Sequence, residues 1–311
     1  MKILITGGAG YIGSVLVPML LRDDNNEVTV LDSFRHGTPS LLSVYHDRHL
    51  TIVRGDVRDA TLLKNLVERA DAVVHLAGIV GQRACAEDPA LAEEINTKVT
   101  AGLVSFMRFD RPLIYPCTNS GYGMAGEAEC DETTPLRPTS VYGRTKVAGE
   151  AHALKHEAAI SLRFATLFGC SPRMRSDLMV NDFVWHAVSG VPLELFEGHF
   201  RRNFLHVRDA ALAIVWALRN WRAYWGGAVF NVGDSRANMT KTALCGAILR
   251  HIPGFRWTGS AVGTDPDQRD YVVSNKKIEA VGWAPQHTLD DGIIELRKAY
   301  AMPFGSLGYR N

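Results

Sequence analysis

Tyr142-Gly143-Arg144-Thr145-Lys146 sets a phenol and an amine four residues apart. On a helix, positions i and i+4 share one face, so the two groups point the same way. A free phenol titrates near pH 10 and is a poor base at neutral pH, and an ammonium beside it favours the phenolate. The pair is therefore a candidate proton-transfer unit, able to take a proton from a hydroxyl and hand it back. An incidental aromatic–cation pair on an exposed helix is the competing explanation, and the residues upstream weigh against it. Leu113–Cys117 is a short apolar run that ends in Thr118-Asn119-Ser120-Gly121-Tyr122-Gly123. Those hydroxyls and that amide would stand at the mouth of a sheet, where open α/β proteins hold ligands.

The other chemical feature lies at the start of the chain. Lys2–Thr6 is apolar and β-branched, Gly7-Gly8-Ala9-Gly10-Tyr11-Ile12-Gly13 is a glycine turn, Ser14–Arg22 reads as helix, and the apolar strand Val28–Leu31 ends at Asp32. This strand–turn–helix–strand–acid order is that of a dinucleotide-binding unit. Glycines let the backbone approach a pyrophosphate, and the helix N-terminus offers N–H groups and a partial positive charge. Asp32 follows Gly13 by nineteen residues, the spacing of an acid that binds both ribose hydroxyls. It favours NAD, because a carboxylate repels the 2′-phosphate of NADP, although Arg35 stands close by with the opposite sign. Pro18 inside the helix removes a hydrogen bond and predicts a kink.

Further strands are expected over Leu50–Arg54 and Ala72–Leu76. Asp56, after the first of these, could accept from an adenine amino group or cap the helix starting near Asp59. Ala77-Gly78, after the second, could let a cofactor lie against the backbone or could serve packing. Asp88-Pro89 opens a helix that carries Asn96 and runs to about Arg108. Ala125–Pro138, rich in glycine, acids and proline, reads as an irregular loop. The helix holding Tyr142 extends to about Glu157, a sixth strand covers Ile160–Leu167, Ser171–Arg175 leaves regular structure, and Asp177–Ser189 is helical. His206 reads as a packed histidine, and Trp216, Trp221 and Trp225 as packing.

The whole chain of 311 residues is long enough for one large α/β domain with a smaller lobe. Apolar residues make up 46% and charged residues 22%, and 34 Lys and Arg balance 33 Asp and Glu, so no global field points to nucleic acid or a membrane surface. Cysteines 85, 117, 130, 170 and 245 form no C-x-x-C pair and have no metal-ligand spacing. This scattered odd set fits reduced thiols in the cytoplasm. A first strand at residue 2 predicts no signal peptide, and no apolar run nears the ~20 residues of a membrane span.

Taken together, Gly7/Gly10/Gly13, Asp32, Asp56-Val57, Asn96, the Thr118–Gly123 turn and Tyr142-x-x-x-Lys146 resemble the extended short-chain dehydrogenase/reductases and, more narrowly, the NAD-dependent nucleotide-sugar epimerase/dehydratase family. The resemblance implies an α/β, Rossmann-type doubly wound parallel sheet with a smaller C-terminal substrate lobe. Residues 1–165 would form the NAD-binding domain. Residues 166–311 would be mainly substrate-binding, with some segments returning to the first domain. It implies that Tyr142 is the catalytic acid/base, that Lys146 lowers its pKa and holds the nicotinamide ribose, and that Thr118 hydrogen-bonds the reacting sugar oxygen. Cofactor contacts would fall on Gly7, Gly10, Tyr11, Ile12, Gly13, Asp32, Asp56, Val57, Leu76, Ala77, Gly78, Asn96, Tyr142 and Lys146. Substrate contacts would fall on Thr118, Asn119 and Ser120. Arg202 in His199–Val207 and Arg269 in Asp265–Tyr271 match arginines that hold the diphosphate, where a guanidinium suits phosphate oxygens.

Two departures shape the expected reaction. The family's 4,6-dehydratases carry Asp-Glu directly after the threonine, and this chain has Asn119-Ser120. Many 4-epimerases carry an asparagine after the sixth strand, and here the residues are Ala165-Thr166-Leu167. The expectation is an NAD-dependent enzyme that epimerises a nucleotide-diphosphate sugar at C4 through a 4-keto intermediate, as a homodimer. A net C4 dehydrogenase or reductase is the alternative; a dehydratase or a non-catalytic NAD-binding regulator ranks below both.

Overall fold

The computed structural model describes residues 1–260 and 268–302. Its centre is a seven-stranded sheet built from β1 (Lys2–Thr6), β2 (Glu27–Asp32), β3 (Leu50–Arg54), β4 (Ala72–His75), β5 (Leu113–Thr118), β7 (Ala159–Phe164) and β11 (Ala228–Val232), with β6 (Met124–Cys130) lying outside it. The spatial order is β3-β2-β1-β4-β5-β7-β11, and every pairing is parallel. The order therefore reverses between β1 and β4. In a doubly wound sheet that is where the loops diverge and a crevice opens at the carboxyl ends. Both sheet faces are covered, so the inner strands are buried on both sides and do not alternate between core and solvent: Ile3, Leu4 and Ile5 of β1 are all buried, as is every residue of β4, β5 and β7, with His75, Thr118, Ser161 and Arg163 the polar exceptions to an otherwise mainly apolar set.

Helix α1 (Gly13–Leu20) lies on one face, where Leu16 and Val17 are completely buried. Each contributes roughly 1.5–3 kcal/mol by leaving water. Pro18 sits inside this helix, which ends only two residues later. On the other face lie α2 (Ala60–Arg69), the short α3 (Gln82–Glu87) and α4 (Pro89–Glu93), α5 (Val99–Phe106) and α6 (Val141–Ala153). The single helix expected from Asp88 to Arg108 is interrupted: α4 passes through a wide π turn, Glu94–Lys98, into α5. Asn96 sits in that turn, and such bulges gather at functional sites.

Three more readings need correction. Ala125–Pro138 is not wholly irregular, because β6 pairs in parallel with β14 (Asp270–Val273), about 140 residues away. Nothing in the local pattern of Gly126, Glu127 and Glu129 signals a strand; the partner supplies it. The expected sixth strand is two, β7 in the main sheet and β8 (Thr166–Phe168) in another, parting at Ala165, whose N–H donates to Val232 O. Helix α6 stops at Ala153, four residues early.

The smaller lobe is assembled from β8, β9 (Leu193–Leu195), β10 (Arg201–His206), β12 (Asn238–Thr240) and β13 (Trp257–Gly259), with α7 (Met179–Ser189), α9 (Lys241–His251) and α11 (Leu289–Ala301). Its core joins Phe168, Val180, Val184, Phe204, Leu244, Ile248, Ile293 and Leu296. Helix α8 (Val207–Asn220) packs back against α1, and α10 (Lys276–Ala280) against β11. Among the described residues no helix is long and apolar enough to cross a membrane.

Candidate active site

One cavity of about 1140 Å³ runs along the carboxyl edge of the sheet, from the glycine turn to the tip of the smaller lobe. That exceeds the size of a pocket for one small ligand. Gly7 has φ of +71°, and a Cβ there would stand 2.6 Å from Ala77 N, so only glycine fits between β1 and β4. At Gly13 a Cβ would meet Gly8 O at 2.5 Å. Helix α1 starts at Gly13 with no side-chain cap; Ser14 N and Val15 N donate to Gly10 O and Ile12 O, and the positive end of the helix dipole faces the turn, where it favours an anion. Asp32 accepts from Ala9 N at 2.9 Å and from Phe34 N at 2.8 Å, fixing the turn while still facing the cavity. These features fit a dinucleotide of the NAD type: a cradle that side chains would fill, and a carboxylate where a 2′-phosphate would be repelled.

Gly7, Gly10, Tyr11, Ile12, Gly13, Asp32, Asp56, Val57, Leu76, Ala77 and Gly78 all line the cavity. Asp56 holds Arg58 at 2.6 Å, which keeps its carboxyl below the usual range. It is not the helix cap; Asp59 is, accepting from Thr61 N and Leu62 N. Asn96 lies behind the wall. Its amide oxygen accepts from Ile79 N at 2.9 Å, and its NH₂ donates to Ile79 O at 2.9 Å and Thr145 Oγ1 at 3.0 Å. It braces the Ala77–Ile79 loop against α6 and touches the cavity only through what it holds.

At the far end, Thr118 closes β5. Pro116 is tolerated in this inner strand because pairing with β4 ends at Ile114, where the cavity opens. Thr118 Oγ1 donates to Ser120 Oγ at 2.9 Å. Ser140 caps α6 through Gly143 N at 3.0 Å, which aims Tyr142 and, one turn on, Lys146 at the same space. Burial pushes the Tyr142 phenol up to about 12, while the Arg175 charge and a hydrogen bond with Thr118 draw it back. Burial brings the Lys146 ammonium down to about 8.

The substrate residues separate. Ser120 and Arg269 line the cavity, and Arg269 Nη1 donates to Ser120 Oγ, so this guanidinium reaches the Thr118–Ser120 turn and not a remote end. The 265–267 part of its segment lies outside the described residues. Arg202 is buried behind the wall, with Nη1 donating to Arg201 O at 3.0 Å and the guanidinium 5.7 Å from the Tyr271 ring centroid. Asn119 is also buried off the wall, and its amide has no hydrogen-bond partner among the described residues. His206 caps α8 and stacks on His287, and Trp216 packs on Tyr224 and Phe230.

Sequence reasoning missed Arg173, Arg175 and Lys241, all on the cavity wall. Two of them belong to the irregular Ser171–Arg175 stretch, which is bolted to the glycine turn. Tyr11 donates to Gly169 O at 2.7 Å, Ser171 Oγ donates to Tyr11 O at 2.7 Å, and Ser14 and Ser171 hydroxyls meet at 2.9 Å. Arg175 is then oriented by Asp177 at 2.5 Å. Two arginines after a strand exit were the only available signal.

Fold and site together define a dinucleotide-binding α/β enzyme of the tyrosine–lysine type. A sequence model of the NAD dependent epimerase/dehydratase family matches residues 3–233, and the chain belongs to that family. The family is NAD-dependent. The chain is 28% identical to a putative UDP-glucose 4-epimerase of Methanocaldococcus jannaschii, covering 94% of this chain and 95% of that one. It is 29% identical to a dTDP-glucose 4,6-dehydratase of Streptomyces niveus, over 96% and 93%. Among solved structures, the UDP-glucuronic acid 4-epimerase of Bacillus cereus, in complex with UDP-glucuronic acid and NAD, superposes with a TM-score of 0.85 at 27% identity, over 96% and 99% of the two chains.

Proposed function

We propose that this chain is a nucleotide-sugar epimerase that inverts C4 through a 4-keto sugar. The carrying observation is that Thr118, Ser120, Tyr142 and Lys146 share one cavity with the glycine turn and Asp32, while Asn119 and Ser120, not carboxylates, directly follow Thr118. Glu129, the described acid nearest in sequence after that turn apart from Glu127, is occupied by Lys276 at 3.1 Å and is not on the cavity wall.

Gly7, Gly10, Tyr11, Ile12 and Gly13 would hold the NAD pyrophosphate, Asp32 the adenosine ribose, Asp56 and Val57 the adenine, and Leu76, Ala77, Gly78 and Lys146 the nicotinamide half, with Asn96 steadying the loop. Bound NAD supplies a hydride acceptor and donor at C4. Thr118 and Tyr142 grip the C4 oxygen, and Tyr142 removes its proton as the carbonyl forms and returns it on reduction. Lys146 and Arg175 favour the phenolate by charge. Arg173 and Lys241, on the cavity wall, are the cations assigned to the diphosphate, whereas Arg269 stands at the Thr118–Ser120 turn and Arg202 is withdrawn behind the wall. Residues 1–165 serve the cofactor and 166–311 mainly the sugar nucleotide, with α8 and β11 returning to the main sheet. Ile95 and Leu103 are spent in the monomer core, and Leu91, Phe106 and Leu154 pack against it; the outer faces of α5 and α6, with Val147 and Ala151, are assigned to a homodimer. The cytoplasm is the assigned compartment.

Mass spectrometry of reactions with a panel of nucleotide-sugars tests the reading. Product of unchanged mass with a new C4 configuration supports it, a two-hydrogen difference makes the enzyme a net oxidoreductase, and loss of water makes it a dehydratase. Tyr142→Phe should cut turnover on the order of 10²–10⁴-fold and leave NAD bound.

A further inference from the structure

Tyr115, in the middle of β5, is buried at 1% exposure. The Nζ of Lys146 stands 4.2 Å from the centroid of its ring. The tyrosine hydroxyl donates to Lys146 O at 3.1 Å. One residue is thus held at both ends by the other, backbone carbonyl to phenol and ammonium to π face. Gly149 permits the approach, since a Cβ there would lie 2.3 Å from the Tyr115 oxygen.

The groups that face the amine come from four elements. Burial lowers Lys146 to about 8, against the pull of Cys117 on β5, Glu150 on α6 and Cys85 on α3. Glu150 is itself held by Arg163 at 2.7 Å and Ser161 at 2.5 Å, which spends much of its charge. His75 on β4, with its ring 6.2 Å from that of Tyr115, is kept neutral by burial and by Lys146, pushed to about 3. Thr6 and Thr100 hydroxyls flank its two ring nitrogens at 2.7 and 3.2 Å. Tyr142 shares the helix face.

We propose that Tyr115 is a positioning residue for Lys146, whose ring face holds the side chain as an ammonium directed into the cavity. A carboxylate in that place would neutralise the charge that Tyr142 requires. An aromatic quadrupole attracts the cation without cancelling it, and does so most strongly where water is excluded. The proposal rests on the reading that Lys146 serves Tyr142.

The test reads the amine directly. The full-length protein is acylated with acetic anhydride across a pH series, and the Lys146 peptide is followed by mass spectrometry, since only the neutral amine reacts. The parent midpoint is expected near 8. Tyr115→Phe, which keeps the ring, should move it by less than about 0.3 unit. Tyr115→Leu and replacement by pentafluorophenylalanine should each lower it by about one unit, giving about fivefold faster acylation at pH 7. The alkaline limb of kcat/KM should fall in step. The fluorinated ring preserves shape, so it decides the matter even if the leucine variant does not fold. Equal midpoints in parent and fluorinated protein overturn the proposal, as does a shift in Tyr115→Phe as large as that in Tyr115→Leu. A parent that turns over no nucleotide-sugar defeats the functional reading instead, and leaves the amine titration to judge Tyr115.

Discussion

The two walls of the cavity are built differently. The wall from Gly7 to Asp32 is one continuous strand–turn–helix–strand, held by backbone contacts such as Gly7 N to Leu31 O at 2.8 Å and Gly10 N to Gly7 O at 3.0 Å. The facing wall is collected from Thr118–Ser120, Arg173–Asp177, Lys241 and Arg269, and is fastened by side-chain pins: Tyr11 to Gly169, Arg201 to Asp270 at 2.8 Å, and Glu295 to Cys170 N at 2.8 Å. A backbone-built wall suits a constant ligand, because its shape tolerates few substitutions. A pinned wall can change one side chain at a time, which suits the part of the ligand that differs among relatives as diverse as UDP-glucose epimerases and dTDP-glucose dehydratases.

The largest effect should come from the rigid wall. Gly7→Ala forces a side chain into left-handed backbone and against Ala77. A loss of about 2–4 kcal/mol in stability is expected, together with loss of NAD binding, measured by denaturation and cofactor titration. A variant that still binds NAD like the parent would mean the turn yields easily, and the contrast between walls would collapse.

Arg175→Gln should act on the pinned wall alone. It removes the leading charge that draws the Tyr142 phenol down, so the acid limb of the kcat/KM profile should move up by about one pH unit, with about tenfold less activity near neutrality and NAD affinity unchanged. A weakened NAD titration would show that the walls are not separable.

The smallest effect concerns a pin. Burial opposes the Glu295 charge, but His206, Cys170 N–H and Arg208 outweigh it and hold the carboxyl at about 2, below its ordinary value of 4.5. A carboxyl depressed on folding stabilises the fold above its unfolded pKa, and that contribution fades as pH falls from about 4.5 toward 2. With solvent screening, Glu295→Gln should cost about 1 kcal/mol at pH 7 and almost nothing near pH 2, read as a Tm difference that closes on acidification. A gap independent of pH would assign the effect to packing.

What was legible before folding follows the same division. Strands β1 and β3 fall where the sequence puts them, and the glycine turn and Asp32 lie on the cavity as expected, because each signal spans fewer than about twenty residues and depends on backbone sterics and apolar runs. Tyr142 and Lys146 share a face for the equally local reason of helix periodicity. The sequence alone thus determined the Rossmann-type half, the cofactor cradle and the tyrosine–lysine pair.

Only the tertiary structure decided the rest. That Met124–Cys130 is a strand depends on Asp270–Val273, and that Arg175 faces Tyr142 depends on Tyr11 and Ser14 fastening the stretch from Gly169 to Arg173. Arg202 withdraws behind the wall while Arg269 reaches Ser120, although both are charged residues in similarly polar stretches. A guanidinium on a flexible stem takes its direction from whatever acceptors and aromatic faces the fold brings near. The aromatic face over Arg202 belongs to Tyr271, and the acceptor of Arg269 to Ser120, 149 residues away, where no local pattern reaches.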